Sequence, residues 1–127
     1  MPVAEPPIRA RAMILAAGYG TRLQGIGQRR PKPMLPVCGT PLVRWSVRWL
    51  VHHGVRDIVV NLHHLPQTVT AVLGDGAHLG QTIRYSWERN VLGSAGGPRR
   101  ALPLLNSDPF LIVNGDTLCD FDLEPML

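Results

Sequence analysis

Two glycines, an arginine and a solitary lysine in the first third of the chain are its residues best suited to chemistry. Gly18-Tyr19-Gly20-Thr21-Arg22-Leu23 follows a short apolar run, and Lys32 stands between Pro31 and Pro33. Glycines let backbone N–H groups come close to anionic oxygens, a nest that holds negative charge without a side chain. Arg22 adds a planar fork for phosphate, and the two prolines restrict the backbone around a compact ammonium. Lys32 is the only lysine beside twelve arginines, which hints that an ammonium is wanted at that spot. On these residues alone the segment is either a phosphate cradle or a glycine turn with incidental basic neighbours. Two common phosphate motifs are excluded. A dinucleotide fingerprint needs a small residue at Leu23 and an acid about 20 positions later, yet no Asp or Glu lies between Glu5 and Asp57. A P-loop needs lysine after its second glycine, and Gly25 is followed by Ile26.

Further along, Val113-Asn114-Gly115-Asp116 places a carboxylate just beyond an apolar run. Such a carboxylate suits Mg²⁺, which takes one or two of them together with substrate phosphates and water; a turn aspartate after glycine is the alternative. Glu88–Gly97 is a second glycine-rich segment. In Asn61-Leu62-His63-His64 the adjacent histidines point apart along an extended backbone, so loop packing is a better reading than a shared ion. No serine or cysteine nucleophile pairs with a histidine in any recognisable arrangement.

These residues need elements to hold them. Ala12–Ala17, Asp57–Leu62, Thr82–Trp87 and Pro109–Asn114 read as strands, the first, second and fourth as continuous apolar runs of a buried parallel sheet. Thr40 and Pro41 supply an N-cap and first turn for a helix carrying Leu42, Val43, Trp45, Trp49 and Leu50 at helical spacing, with the tryptophans on its apolar face and Gly54 as its stop. Further helices are expected at Pro66–Leu73, around Pro98–Leu105, and beginning at Asp122–Leu127, where Asp120, Asp122 and Glu124 cap or open the first turn. Residues 1–10 read as a loose leader and Gly18–Pro36 as a long loop. Strands alternating with helices predict one three-layer α/β/α domain with a mostly parallel, Rossmann-like sheet over residues 1–127. Ligands of such sheets bind beyond the carboxyl ends of the strands, after Ala17, Leu62, Trp87 and Asn114.

The net charge of +4 is unevenly spread: residues 1–56 hold nine Lys/Arg against Glu5 alone, and residues 57–127 hold four against eight acids. A basic front half fits an anionic ligand, either nucleic acid or a phosphorylated small molecule, or simply a solvated arginine surface. Nucleic-acid binding would interleave basic residues with exposed aromatics, and the tryptophans are expected on an apolar face instead. No apolar run reaches the roughly 20 residues of a membrane span. Two isolated cysteines, Cys38 and Cys119, suit a reducing compartment, so a cytoplasmic location is expected.

Met13-Ile14-Leu15-Ala16-Ala17-Gly18-Tyr19-Gly20-Thr21-Arg22-Leu23, continued by Pro31-Lys32-Pro33-Met34-Leu35-Pro36, resembles the signature of the sugar nucleotidyltransferases, the NDP-sugar pyrophosphorylases. The resemblance implies a nucleotide-diphospho-sugar transferase fold and transfer of a nucleotidyl group from an NTP to a sugar 1-phosphate with release of pyrophosphate. It places nucleotide binding on Leu15, Ala16, Ala17, Gly18, Gly20, Thr21, Arg22 and Lys32, with Arg22 on the pyrophosphate and Lys32 on the charge of transfer. Asp116 takes the place of the family's first metal-binding aspartate, with Mg²⁺ as cofactor. Glu88–Gly97 is similar to the family's second glycine loop, which frames the base through Gly93 and Ser94. Its Leu92-Gly93-Ser94-Ala95-Gly96 is closest to mannose- and heptose-phosphate guanylyltransferases, so GTP is the expected donor; uridylyl or thymidylyl transfer and a non-catalytic nucleotide-binding relative are the alternatives. Gly25-Ile26-Gly27 departs from the family's usual Pro-Leu-Thr and implies a looser loop. The resemblance spans about residues 12–127 and only the amino-terminal half of the family's domain, which implies a truncated unit whose sheet edge is poorly stable or covered by association, including self-association.

Overall fold

A computed structural model describes residues 10–18, 30–106 and 109–126 of the protein. Residues 1–9 of the expected leader, the phosphate-nest residues Gly20, Thr21 and Arg22, the departure at Gly25–Gly27, and Leu127 lie outside the described residues. Four strands form one parallel sheet: β1 (Arg11–Leu15), β4 (Asp57–Leu62), β5 (Thr82–Trp87) and β6 (Phe110–Asn114), in the order β5-β4-β1-β6. Between β1 and β4 lie a two-stranded hairpin, β2 (Pro36–Val37) and β3 (Thr40–Pro41), and helix α1 (Leu42–His52). Helix α2 (Pro66–Leu73) joins β4 to β5, and α3 (Gly93–Leu105) joins β5 to β6.

Period-two alternation sends apolar side chains to both faces of the sheet. Ala12, Ile14, Ile58, Val60 and Leu62 pack with Val43, Val47 and Leu50 of α1 and Val69 and Leu73 of α2. Met13 and Val59 pack with Ala101 and Leu105 of α3 on the other side. The result is the expected three-layer α/β/α arrangement. The chain runs from β1 outward to β4 and β5, then returns to the far side of β1 as β6. That reversal makes the carboxyl ends of β1 and β6 the switch point, where a crevice opens in sheets of this kind.

Several boundaries differ from the sequence reading. Thr40 is not a helix cap: it pairs with Val37 in the hairpin, Pro41 takes the N-cap place, and no side chain bonds the first turn. Cys38 and Gly39 turn that hairpin with φ of 50° and 76°, the pair of left-handed residues that a tight two-residue turn demands. Helix α3 begins at Gly93, so the second half of the expected second glycine loop is its first turn and more. Asp122–Leu127 does not open an α-helix; Asp122 Oδ1 accepts from the Glu124 N–H at 3.1 Å and a single 3₁₀ turn covers Glu124–Met126. The tryptophans of α1 are half-buried beside its fully buried face, because each indole N–H needs an acceptor: Trp45 donates to the Val37 carbonyl at 2.9 Å and Trp49 to the Phe121 carbonyl at 3.0 Å. Three of the front-half arginines serve the fold. Arg11 donates to the Leu104 and Leu105 carbonyls at the end of α3, Arg56 to the Gly80 carbonyl, and Arg48 lies over the Trp45 ring. Among the described residues β6 is an edge strand, and Ile112, Leu118, Phe121 and Met126 near it are about half-exposed.

The β1 and β6 ends are locked by a close backbone approach. The Gly115 N–H donates to the Leu15 carbonyl at 3.0 Å, and a Cβ on Gly115 would sit 2.7 Å from that same oxygen. Gly115→Ala therefore forces the two strand ends apart. We expect a loss of about 1–3 kcal/mol in urea unfolding; unchanged stability would mean that the strand ends separate without strain.

Candidate functional site

A pocket of about 240 Å³ lies at the switch point. Its walls come from the carboxyl end of β1 (Leu15 to Gly18), the turn carrying Lys32 and Pro33, Asn61 of β4, Glu88 after β5, Gly93 and Ser94 at the start of α3, and Asn114 and Asp116 after β6. Every described residue that the sequence reading assigned to the site is here: Leu15, Ala16, Ala17, Gly18, Lys32, Gly93, Ser94 and Asp116.

Lys32 reaches the pocket because its neighbours are anchored. Pro33 and Met34 are buried, and a 3₁₀ turn over Lys32–Met34 is closed by the Leu35 N–H on the Lys32 carbonyl at 3.1 Å. The ammonium lies 2.8 Å from Asp116 Oδ2, and both side chains are partly exposed. The hydrogen bond from Lys32, aided by its charge, holds the Asp116 carboxyl below its ordinary value, while partial burial opposes that shift. A cation and an anion thus pair at the pocket wall, each partly exposed to a ligand group of opposite sign.

On the far wall, α3 presents its first turn. The leading N–H groups of a helix have no partner within it, and the positive end of the helix favours an anion or an acceptor. Pro98 lies inside α3 and carries no N–H, so the Ser94 carbonyl loses its partner within the helix. Donors and an acceptor are therefore offered on one short stretch of wall.

Two buried polar residues of the site escaped the sequence reading. Asn61 is buried in the middle of the sheet, on the face that carries Val59 and Met13; its Oδ1 accepts from the Ala16 N–H at 2.6 Å and its Nδ2 donates to Glu88 Oε2 at 2.8 Å. Glu88, 4% exposed, accepts with Oε1 from the Leu92 N–H at 3.1 Å. Helix α3 closes over them at Gly97, where a Cβ would come within 2.9 Å of Asn61 Nδ2 and 3.0 Å of Glu88 Oε2. The available signal was an amide inside the apolar run Asp57–Leu62 and a carboxylate at a strand end. His63 packs as a loop residue, with Nδ1 2.7 Å from the Glu88 carbonyl.

Asp116 is the hard-oxygen donor suited to a divalent cation here. Among the described residues no three His, Cys, Asp or Glu converge as a ready-made metal cage. A lone carboxylate could hold Mg²⁺ only together with other ligands such as phosphate or water. No helix of the described residues is long and apolar enough to cross a membrane.

The ion pair makes a pH prediction. Because the folded carboxyl of Asp116 titrates below the ordinary 3.8, its contribution to stability is complete above pH 3.8 and is lost as pH falls through the lower folded value. Partial exposure limits that contribution to about 1 kcal/mol at most. Unfolding followed by circular dichroism should find Asp116→Asn slightly less stable than the parent at neutral pH and equal to it well below pH 3.8. A gap that persists unchanged in acid would remove Lys32 as the cause.

The sequence pattern of the nucleotidyl transferase family matches residues 11–127. Over 113 residues the chain is 46% identical to N-acetylmuramate alpha-1-phosphate uridylyltransferase of Neisseria meningitidis, covering 88% of this chain and 49% of that one. Identity to the mannose-1-phosphate guanylyltransferase catalytic subunit beta of Xenopus tropicalis is 36%, over 92% of this chain and 33% of that one. The fold superposes on HddC from Yersinia pseudotuberculosis, solved in complex with GMP-PN, with a TM-score of 0.80 at 28% identity, covering 92% of this chain and 52% of that one. The chain thus spans half or less of the curated relatives it matches.

Proposed function

The chain belongs to the nucleotidyl transferase family, and from that premise we propose that it forms the nucleotide-binding part of an enzyme that builds NDP-sugars. In this reaction an oxygen of a sugar 1-phosphate attacks the α-phosphorus of an NTP. A new P–O bond forms, the bond from the α-phosphorus to the oxygen of the β-phosphate breaks, and pyrophosphate leaves. The sugar phosphate is already ionised, so the reaction asks for no general base. It asks for two anions held in line and for neutralisation of charge on the leaving group.

The observation that carries this reading is the convergence of Leu15–Gly18, Lys32, Gly93–Ser94 and Asp116 on one pocket at the carboxyl edge of the sheet. Lys32 supplies positive charge to the phosphates, with Arg22 of the glycine segment as its proposed companion. The backbone at Ala16–Gly18 offers close approach to phosphate oxygens, as Gly20 and Thr21 are proposed to do. The start of α3 faces the base. Asp116 is the residue we assign to Mg²⁺, which when bound would screen the phosphate charge. Lys32 pairs with that carboxylate at 2.8 Å, which keeps both charged groups at the pocket wall.

For the base, uridine is the finer proposal. It rests on the 46% identity to a uridylyltransferase, against 36% to a guanylyltransferase, and it makes an N-acetylated sugar acid 1-phosphate the acceptor to try first. Leu92-Gly93-Ser94-Ala95-Gly96 favours the second reading, guanosine, as does the nucleotide analogue bound in HddC. Calorimetric titration of UTP, GTP, dTTP and CTP with Mg²⁺, paired with pyrophosphate release on adding sugar 1-phosphates, separates these. We expect UTP to bind most tightly. Preference for GTP would restore the second reading, and a folded protein that binds no NTP would end the proposal.

Lys32 offers a sharper check. Replacing it by alanine should weaken NTP binding about tenfold or more, as loss of a charge-assisted contact does. The melting temperature should hardly move, because its one ion pair is partly exposed. A collapse in melting temperature would make Lys32 a structural residue.

A further inference from the structure

Between the two loops that flank the pocket runs a buried chain of three hydrogen bonds. The Ala16 N–H donates to Asn61 Oδ1, Asn61 Nδ2 donates to Glu88 Oε2, and the Leu92 N–H donates to Glu88 Oε1. Ala16 is 45 residues from Asn61, and Asn61 is 27 from Glu88, so the chain joins three separate strand ends. Asn61 and Glu88 are both nearly inaccessible to solvent, at 3% and 4% exposure. A buried polar group that loses its partner costs more than the bond it made, so this chain tolerates no half-made state.

The chain starts where the ladder stops. Parallel pairing of β1 with β4 runs through Ala12, Met13 and Ile14 and no further. Just past the end of β1, the Ala16 N–H finds the side chain of Asn61 in place of a strand partner. At the other end Glu88 follows the last residue of β5, and its carboxylate closes the turn that delivers Val91 and Gly93 to the pocket wall. Gly97 seats α3 directly on the pair, leaving no room for a side chain.

We propose that Asn61 is a positioning residue which, through Glu88, sets the separation between the phosphate-binding loop after β1 and the base-facing start of α3. Asn61 need not touch the nucleotide. It fixes Ala16, the residue that leads into the glycine segment, relative to Leu92, which leads into α3, and so matches the pocket to the span from base to phosphates. This rests on the nucleotide-binding reading above.

The polarity of the chain supplies its test. In Asn61→Asp the oxygen facing Ala16 still accepts, but the second atom becomes an oxygen facing Glu88 Oε2, and two acceptors oppose each other without a proton. Adding Glu88→Gln reverses the donor and acceptor while keeping the net charge of the parent pair. The amide then donates to the new carboxylate and its oxygen still accepts from Leu92. We expect Asn61→Asp to weaken NTP binding at least about tenfold, the scale of breaking hydrogen bonds to a buried charged group, and the double variant Asn61→Asp/Glu88→Gln to recover to within a few-fold of the parent. Amide exchange followed by NMR on the nucleotide-free protein reads the brace itself: Ala16 and Leu92 should be protected in the parent, exposed in the single variant and protected again in the double. Loss of binding in the double variant despite restored protection would overturn the proposal, since Glu88 would then be acting on the ligand directly. So would unchanged binding and unchanged protection in Asn61→Asp. A parent that protects both amides yet binds no NTP would instead overturn the nucleotide-binding reading, leaving the brace as a feature of the fold with no bearing on ligand.

Discussion

Backbone groups just beyond the ends of a covered parallel strand face a problem the strands do not have. The ladder has ended, and a layer of helices below keeps water away, yet each N–H still requires an acceptor. In this protein β1 is the central case, because it is flanked by β4 and β6 and covered on both faces. Its continuation is satisfied from both sides. The Ala16 N–H reaches the Asn61 side chain, and the Leu15 carbonyl accepts from Gly115. Together with the bond from Asn61 to Glu88, they hold the end of β1, the turn after β5 and the turn after β6 in one relation, and the pocket is the space between them.

Among the described residues, partly exposed charge enters that frame at Lys32 and Asp116. Lys32 is delivered by a short turn anchored through buried Pro33 and Met34, and Asp116 follows the glycine that locks β6 to β1. Each therefore has its backbone fixed while its charged end stays partly in solvent. Exposure keeps the cost of desolvation low and makes the pair easy to open, which suits the proposed task of transferring their attraction to an incoming phosphate or cation. A fully buried pair would hold the fold more firmly and would serve a ligand badly. The arginines that the charge asymmetry brought to attention divide accordingly: Arg11, Arg48 and Arg56 are spent on carbonyls and an indole ring, away from the pocket.

Sequence periodicity made the strands and α2 legible, down to the limits of Asp57–Leu62, Thr82–Trp87 and Pro66–Leu73, because long apolar runs and flanking turn residues leave few alternatives. Helix α3 was cut short because glycine is a poor helix former, and a run of Gly93-Ser94-Ala95-Gly96-Gly97 reads locally as loop. Tertiary packing overrides that tendency, since at Gly97 only a bare Cα fits against Asn61 and Glu88. The hairpin at Pro36–Pro41 was hidden by its two-residue strands, each containing a proline. In the site, Lys32 and Asp116 were readable as isolated charges in restrained surroundings. Asn61 and Glu88 were not, because their meaning lies in partners distant in the chain, and no spacing along a single sequence encodes a contact of that kind.

The carboxyl edge around β1 is the proposed nucleotide site. Backbone amide shifts recorded by NMR while UTP and Mg²⁺ are titrated into the protein test it most directly. The account requires the largest changes at Ala16–Gly18, Lys32, Gly93–Ser94 and Asp116, with the helix α1 surface around Trp45 and Trp49 unmoved. Changes centred on that tryptophan surface, with the β1 edge silent, would contradict it.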